Sequence, residues 1–379
     1  MAKNKVKEKI KDKIKDKAKK KGKAKAAEVE QVVEEVSEAV VEPEVAPEPE
    51  AVVEPEAAAE PEALKEEAVK KAAKEKPAKP AAKEAPKDAS GFVAKVTVDG
   101  SKAFKIADAK TSFEIDKLKR ADYEELLAQN IVKMQELQDR FYADGSEGLI
   151  ILFQAMDAAG KDSTIRKVMS GLNPQGVTVY SFKQPSKEEL AHDYLWRAYC
   201  HLPERGKIAL FNRSYYEDVL VVRVHDMKKG YHMPARCKDI PEQEFFDMRF
   251  KRISEFEEHL YENGYRVMKF FLNVSLDEQK KRFLERIEDE TKNWKFSGGD
   301  LDERELWPQY MAAFEDAING TASEHAPWYV VPADQKWFAR WLVSELVVRE
   351  LEAINPQYPE MPAEERAKLA EYKARLEQA

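Results

Sequence analysis

The 379-residue chain reads as an α/β protein, a parallel sheet layered between helices and preceded by a long charged tail. Two features of the apolar pattern argue for this. Five short runs lack polar alternation, as strands covered on both faces do: LIILF (residues 149–153), VTVYSF (177–182), IALFN (208–212), VMKFFLNV (267–274) and WYVVP (328–332). Amphipathic stretches separate them, and strands that alternate with helices build parallel sheets. In such sheets ligands bind beyond the carboxyl ends of the strands, so the residues that follow each run are the place to look for chemistry.

The tail comes first. Residues 1–26 hold 13 Lys against three acids, residues 27–62 hold 13 Glu and no Lys with repeated Pro-Glu steps, and residues 63–87 return to Lys, Ala, Glu and Pro. Almost nothing there is aromatic or large and apolar, so burial cannot offset the chain entropy lost on ordering. Residues 1–91 are therefore expected to be disordered. The basic start is read as a solvated charge block, and nucleic acid is not an expected partner. No apolar h-region follows it, which argues against a signal peptide, and no run approaches the roughly 20 apolar residues of a membrane span. Cys200 and Cys237 are too few for a disulfide framework and fit a reducing cytoplasm. The net charge of −8 hides these blocks and says little about the folded part.

Residues 92–355 form the expected folded domain, with 356–379 as a helical extension. Within residues 115–142, Leu118, Leu126, Leu127, Ile131, Met134 and Leu137 fall at helical spacing, which predicts a helix packed ahead of the sheet. Two later helices are signalled by capping boxes, Ser186-x-x-Glu189 and Ser275-x-x-Glu278.

The first run leads into QAMDAAGKDS (154–163), and STIRKVMSGL continues as a predicted helix ending near Gly171. Strand, small-residue loop and helix is the context of a phosphate loop, in which backbone N–H groups and the helix dipole favour an anion. Ala159, Gly160, Asp162 and Ser163 would line the phosphate, and Lys161 supplies the cation. The loop departs from G-x-x-x-x-G-K-[ST] at both ends, with Ala155 for the first Gly and Asp162 for the Ser or Thr. Asp157 offers a carboxylate at the same mouth, and a hard cation such as Mg2+ prefers such oxygens.

The third run ends in Asn212 where a metal-supporting Asp is expected, followed by Arg213, Ser214, Glu217 and Asp218. A neutral amide binds a cation less well than a carboxylate, and Asp218 is the residue that would restore the charge. Arg213 and Arg223 would face phosphates. Beyond the fourth run, residues 275–318 read as two helices joined by a polar segment containing Lys292, Trp294 and Lys295. Arg282 and Arg286 share one helix face there, as a lid (about 282–318) delivering Arg to transferring phosphates requires. The six histidines show no metal-ligand spacing.

QAMDAAGKDSTIRKVMSGLNPQGV, AHDYLWRAYCHLPERGKIALFNRSYYEDVLVVRV, WKFSGGDLDERELW and APWYVVPADQKWFARWLVSEL together resemble the polyphosphate kinase 2 family over residues 113–350. The resemblance implies a three-layer P-loop kinase fold with a helical lid, in which inorganic polyphosphate donates a phosphoryl group to a nucleotide. NRSxYED is similar to the third class, which acts on both AMP and ADP, and reversal would consume ATP. Carried over, Asp157 and Asp218 would manage Mg2+, Lys161 and Arg213 bind phosphates, Arg282 grips the polyphosphate end, and Glu217 lies on the acceptor side. Self-association is a further implied property. The competing expectations are an ATP-dependent nucleoside monophosphate kinase and a polyanion-binding protein acting through the Lys-rich tail.

Overall fold

The computed structural model describes residues 89–113 and 119–378, so the expectations for residues 1–88 and for Leu118 lie outside the described residues. The described residues open with α1 (Ala89–Val96), whose first three residues fall within the stretch expected to be disordered. Phe92 seats it, with its ring 5.3 Å from Phe338 and 6.1 Å from Trp341. A two-residue strand, β1 (Thr97–Val98), follows and pairs antiparallel with the last strand. It is too short for any apolar pattern to announce.

Helix α2 (Arg120–Asp144) carries the predicted stripe, with Leu126, Leu127, Met134 and Leu137 buried. Gly145 ends it at φ +63°, a left-handed cap that glycine adopts without strain. The five expected strands all form: β2 (Gly148–Gln154), β3 (Val177–Ser181), β4 (Ile208–Asn212), β5 (Tyr265–Asn273) and β6 (Trp328–Pro332). They lie in the order β1-β6-β5-β2-β4-β3, with every pair but β1–β6 parallel. β2 is buried along its whole length, as an uninterrupted apolar run requires. β3 departs from expectation: it is the sheet edge, and Val179 stands 51% exposed. β-branched residues favour a strand whether or not a second face is covered, so apolar content alone could not separate edge from centre.

Helices cover both faces and give the three layers. α2 packs along α8 (Lys336–Ile354), which also meets α3 (Lys161–Val168), while α4 (Glu242–Glu262) packs on β5 and on α7 (Trp307–Thr321). Between β5 and α7 come α5 (Leu276–Glu288) and α6 (Gly299–Glu305). The extension forms α9 (Ala363–Glu377), which buries no residue. No described helix is long and apolar enough to cross a membrane.

Both capping-box signals are only partly realised. Ser186 and Glu189 exchange the reciprocal bonds at 2.6 and 3.2 Å, but they cap a single 3₁₀ turn (Glu189–Ala191) and no α-helix. Ser275 accepts from the Glu278 N–H at 3.1 Å, whereas Glu278 turns to Arg282 and the Ser275 N–H donates to Asp334 at 2.7 Å.

A fully buried ion pair ties the sheet to the segment after β4. Lys269, central in β5, meets Glu257 of α4 with neither side chain more than 1% exposed. Glu257 also accepts from the Tyr215 and Tyr216 hydroxyls at 2.8 and 2.9 Å, and Tyr216 reaches Thr321 of α7 at 2.8 Å. Burial pushes the Lys269 ammonium pKa down and its carboxylate partner holds it up. Removing one member of such a pair leaves an uncompensated buried charge. Glu257→Gln should therefore lower unfolding free energy by about 3–5 kcal/mol, read as a lower urea midpoint with an unchanged slope. An unchanged midpoint would mean that the pair is not what holds this junction.

Candidate active site

β2 delivers the phosphate loop. After Gln154 the chain turns through Ala158 (φ +60°) and Gly160 (φ +105°) and enters α3 at Lys161. The left-handed residues bend the backbone so that the first N–H groups of α3 point away from the sheet, the geometry of an anion cradle. Gly160 is required by its φ more than by space, since a Cβ there would stand 3.4 Å from Ser163 and 3.8 Å from Arg282. Lys161 is 9% exposed and donates to the Ala155 carbonyl at 2.6 Å. Burial pulls its ammonium pKa down, and nearby Asp157 opposes that shift.

β4 runs beside β2 in register, with Phe153 opposite Asn212, so its end faces the loop. Two departures from the phosphate-loop pattern meet here: the Asn212 amide donates to Asp162 at 2.7 Å. Arg213, in the left-handed region at φ +61°, ion-pairs with Asp157 at 3.2 Å and with Glu217 at 3.5 Å. Glu217 is pushed above the ordinary carboxylate range chiefly by burial, against the pull of Arg213 and Lys161. With its amide oriented to suit its neighbours, Gln154 donates to Glu217 at 2.9 Å and accepts from the Ser214 N–H at 3.0 Å.

Arg282 has a different place from the one its sequence context suggests. It is 3% exposed and all five of its N–H groups are engaged. It bonds Glu278 (2.9 Å), the Ala158 and Ala159 carbonyls (3.1 and 2.7 Å) and the Ala333 and Asp334 carbonyls beyond β6 (2.6 and 3.0 Å). It braces the loop while lining the same cleft, and in this arrangement all its donors are taken by protein. Gln279, one turn earlier, adds a bond to the Asp157 carbonyl at 3.0 Å.

Two further residues lie away from the loop. Asp218 was placed with Asp157 at a metal, yet it ends a 3₁₀ turn (Tyr215–Asp218), pairs with Arg249 at 3.0 Å and accepts from Tyr231 at 2.9 Å. It lines a separate cavity of about 100 Å³, because a 3₁₀ turn sends neighbours Glu217 and Asp218 to different sides. Arg223 pairs with Asp316 of α7 at 2.7 Å and lies over Phe246, away from the loop.

Asp157, Gly160, Lys161, Asp162, Ser163, Asn212, Arg213 and Arg286 do converge, on a cleft of about 1,040 Å³. Its walls carry nine Lys and Arg against three Asp and Glu, a bias that suits a polyanion and not a neutral ligand. Arg166, Lys183, Glu285 and Lys336 line it too and were missed, being single charges on helices and loops without motif spacing. Arg286 bonds the Lys295 carbonyl at 3.2 Å and approaches Asp300 at 3.6 Å. Glu303 of α6 is held by His225 at 2.9 Å and by the Tyr310 hydroxyl, which fastens this segment to α7 and to the chain after β4.

A parallel sheet with a phosphate loop and a cation-lined cleft at the strand ends defines a phosphotransferase of the phosphate-loop class. The family model described as polyphosphate kinase 2 matches residues 117–359, and the chain belongs to that family. It is 48% identical over 255 residues to an ADP-polyphosphate phosphotransferase of Rhodopseudomonas palustris, covering 67% of this chain and 88% of that protein. It is 46% identical over 228 residues to an AMP/ADP-polyphosphate phosphotransferase of Meiothermus ruber, covering 60% of this chain and 80% of that protein. The crystal structure of polyphosphate kinase 2 from Arthrobacter aurescens TC1 superposes with a TM-score of 0.67 at 37% identity, over 77% of this chain and all of that one.

The brace yields a prediction that separates geometry from charge. Arg282→Lys keeps the cation but has at most three donors for five bonds. Both Arg282→Lys and Arg282→Ala should lower the transfer rate about a hundredfold, the cost of a loop displaced by roughly an ångström. Steady-state assays on folded variants check this, and near-normal turnover in the Lys variant would show that charge alone suffices.

Proposed function

We propose that this protein transfers phosphoryl groups reversibly between inorganic polyphosphate and AMP or ADP, with Mg2+. The observation that carries the reading is the cation-lined cleft around the phosphate loop: two polyanions that repel each other must meet there. The names of the R. palustris and M. ruber relatives support the donor and both acceptors. Its free cysteines accord with action in the cytoplasm.

The residues divide the work. Lys161 exchanges its bond to the Ala155 carbonyl for a phosphate oxygen, and Arg213 turns from Asp157 and Glu217 toward the acceptor. Loop N–H groups hold the terminal phosphate of the chain. An acceptor phosphate oxygen then attacks that phosphorus in line; the bridging P–O bond breaks and the electron pair leaves with a polyphosphate one unit shorter. No covalent nucleophile takes part.

Among the described residues no three His, Cys, Asp or Glu converge as an all-protein metal cage would require. That fits Mg2+, which takes one or two carboxylates and completes its shell with phosphates and water. Asp157 is the residue to hold it, and when bound the ion neutralises phosphate charge and fixes the oxygens.

Incubation with AMP, Mg2+ and long-chain polyphosphate should give ADP and then ATP. AMP with ATP as sole donor and indifference to polyphosphate would instead support a nucleoside monophosphate kinase. Asp157→Asn and Lys161→Ala should each lower kcat by about 10²–10³ or more.

The depressed Lys161 pKa sets a pH expectation. The free enzyme loses this cation as pH rises, so kcat/KM should fall on the alkaline side before an ordinary lysine would titrate. Bound polyanion favours the ammonium, so the alkaline limb of kcat should lie higher than that of kcat/KM. Coincident limbs, or a limb that survives in Lys161→Ala, would assign it to another group.

A further inference from the structure

We infer that Asp162 is the second metal-facing carboxylate of this site, and that Asn212 is the residue that orients it. This deepens the phosphotransferase reading and rests on it. In a phosphate-loop enzyme the side chain after the loop lysine faces the metal from the helix, and a carboxylate faces it from the end of the neighbouring strand. Here the helix side is Asp162 and the strand side is Asn212, so the carboxylate and the neutral group have changed places.

The two residues touch. The Asn212 amide donates to one Asp162 oxygen at 2.7 Å, and both line the phosphate cleft with Asp157 and Lys161. An amide can donate to a carboxylate, whereas a second carboxylate at that distance would repel it and share a proton. Asn212 thus holds one Asp162 oxygen while the other retains its lone pairs for a cation, the arrangement in which an outer partner aims a metal ligand. Asp162 also sits in the first turn of α3, where the helix dipole favours negative charge.

Two acids of the segment after β4 have other partners, and Glu285 lines the cleft from α5 instead of from the loop. Asp218 is tied to Arg249 and Tyr231 in another cavity, and Glu217 is enclosed by Arg213 and Gln154. Asp157 and Asp162 are then two carboxylates facing one cleft from the two ends of the loop, the number Mg2+ takes from protein when phosphates complete its shell.

The test titrates Mn2+ into the full chain with ADP and follows the electron paramagnetic resonance signal of free Mn2+, alongside polyphosphate-dependent transfer to ADP with Mg2+. Asp162→Asn should weaken Mn2+ binding at least tenfold with an unchanged circular dichroism spectrum. Asp162→Ser combined with Asn212→Asp puts the carboxylate back on the strand and should recover wild-type affinity to within about threefold. Asp162→Asn that binds Mn2+ within twofold of wild type, while wild type transfers phosphate, overturns this assignment alone. A recovered transfer rate without recovered Mn2+ affinity also overturns it. Wild type with neither transfer nor ADP-dependent Mn2+ binding overturns the proposed function with it.

Discussion

The site depends on a buried guanidinium. Arg282 satisfies four backbone carbonyls, two from the phosphate loop and two from the segment after β6, and is itself held by Glu278. With the Ala158 and Ala159 carbonyls held by Arg282 the turn into α3 is fixed, and the start of that helix is where an anion is favoured. A lysine could supply the charge but not the planar fork that spans both segments. The same residue joins the sheet's two central functions, since β2 ends in the loop and β6 ends in the segment that shares the brace.

Behind the loop a second buried polar set fixes the turn after β4. Glu257 and Lys269 anchor Tyr215 and Tyr216, and these lie between Arg213 and Glu217, which face the loop. Burying such a pair gains little net stability compared with apolar packing. What it supplies is position: Arg213, held at φ +61°, sits on a turn whose two tyrosines cannot slide. Lys161 and Arg213 rest on protein partners. Binding therefore exchanges contacts instead of creating unpaired charge in a site where burial already disfavours the ammonium.

Most of the fold was legible because apolar runs report burial directly, and all five predicted strands formed within two residues of their expected starts. β1 escaped because two residues carry no period, and the edge position of β3 because Val and Tyr suit either environment. At the candidate site, the convergence of Asp157, Lys161 and Arg213 on one cleft was legible from a strand–loop–helix order that constrains where side chains point. The partners of Arg282, Asp218 and Arg223 were not legible, because an Arg or Asp near a motif has the same letter whether it faces a cleft or a buried partner. Only the tertiary partners, the carbonyls of Ala158 and Ala333, Arg249, and Asp316, decide. The Asn212–Asp162 bond is the reverse case, since two departures that looked independent along the chain are a single contact in space.

The same contrast between buried and exposed partners bears on the proposed lid. Its start is fixed, because Arg282 is locked in place, and its far end is fixed, because Tyr310, Phe314 and Ile318 of α7 are core residues. Between them the fastenings are exposed or part-exposed: the ion pairs Arg286–Asp300 and His225–Glu303, at side-chain exposures of 17–32%, the Tyr310–Glu303 bond, and Arg304 donating to the Leu276 carbonyl and Gln279 at 2.8 and 2.7 Å. Pairs of that kind are worth about 0–1 kcal/mol each. A segment held firmly at both ends and weakly across the middle can open at small cost without disturbing the loop. An enzyme that must admit a long polymer, advance it by one phosphate and release a nucleotide needs its mobility confined in this way. The brace at Arg282 is thus also the boundary of that movement, and the precision of the phosphate loop is insulated from the traffic above it.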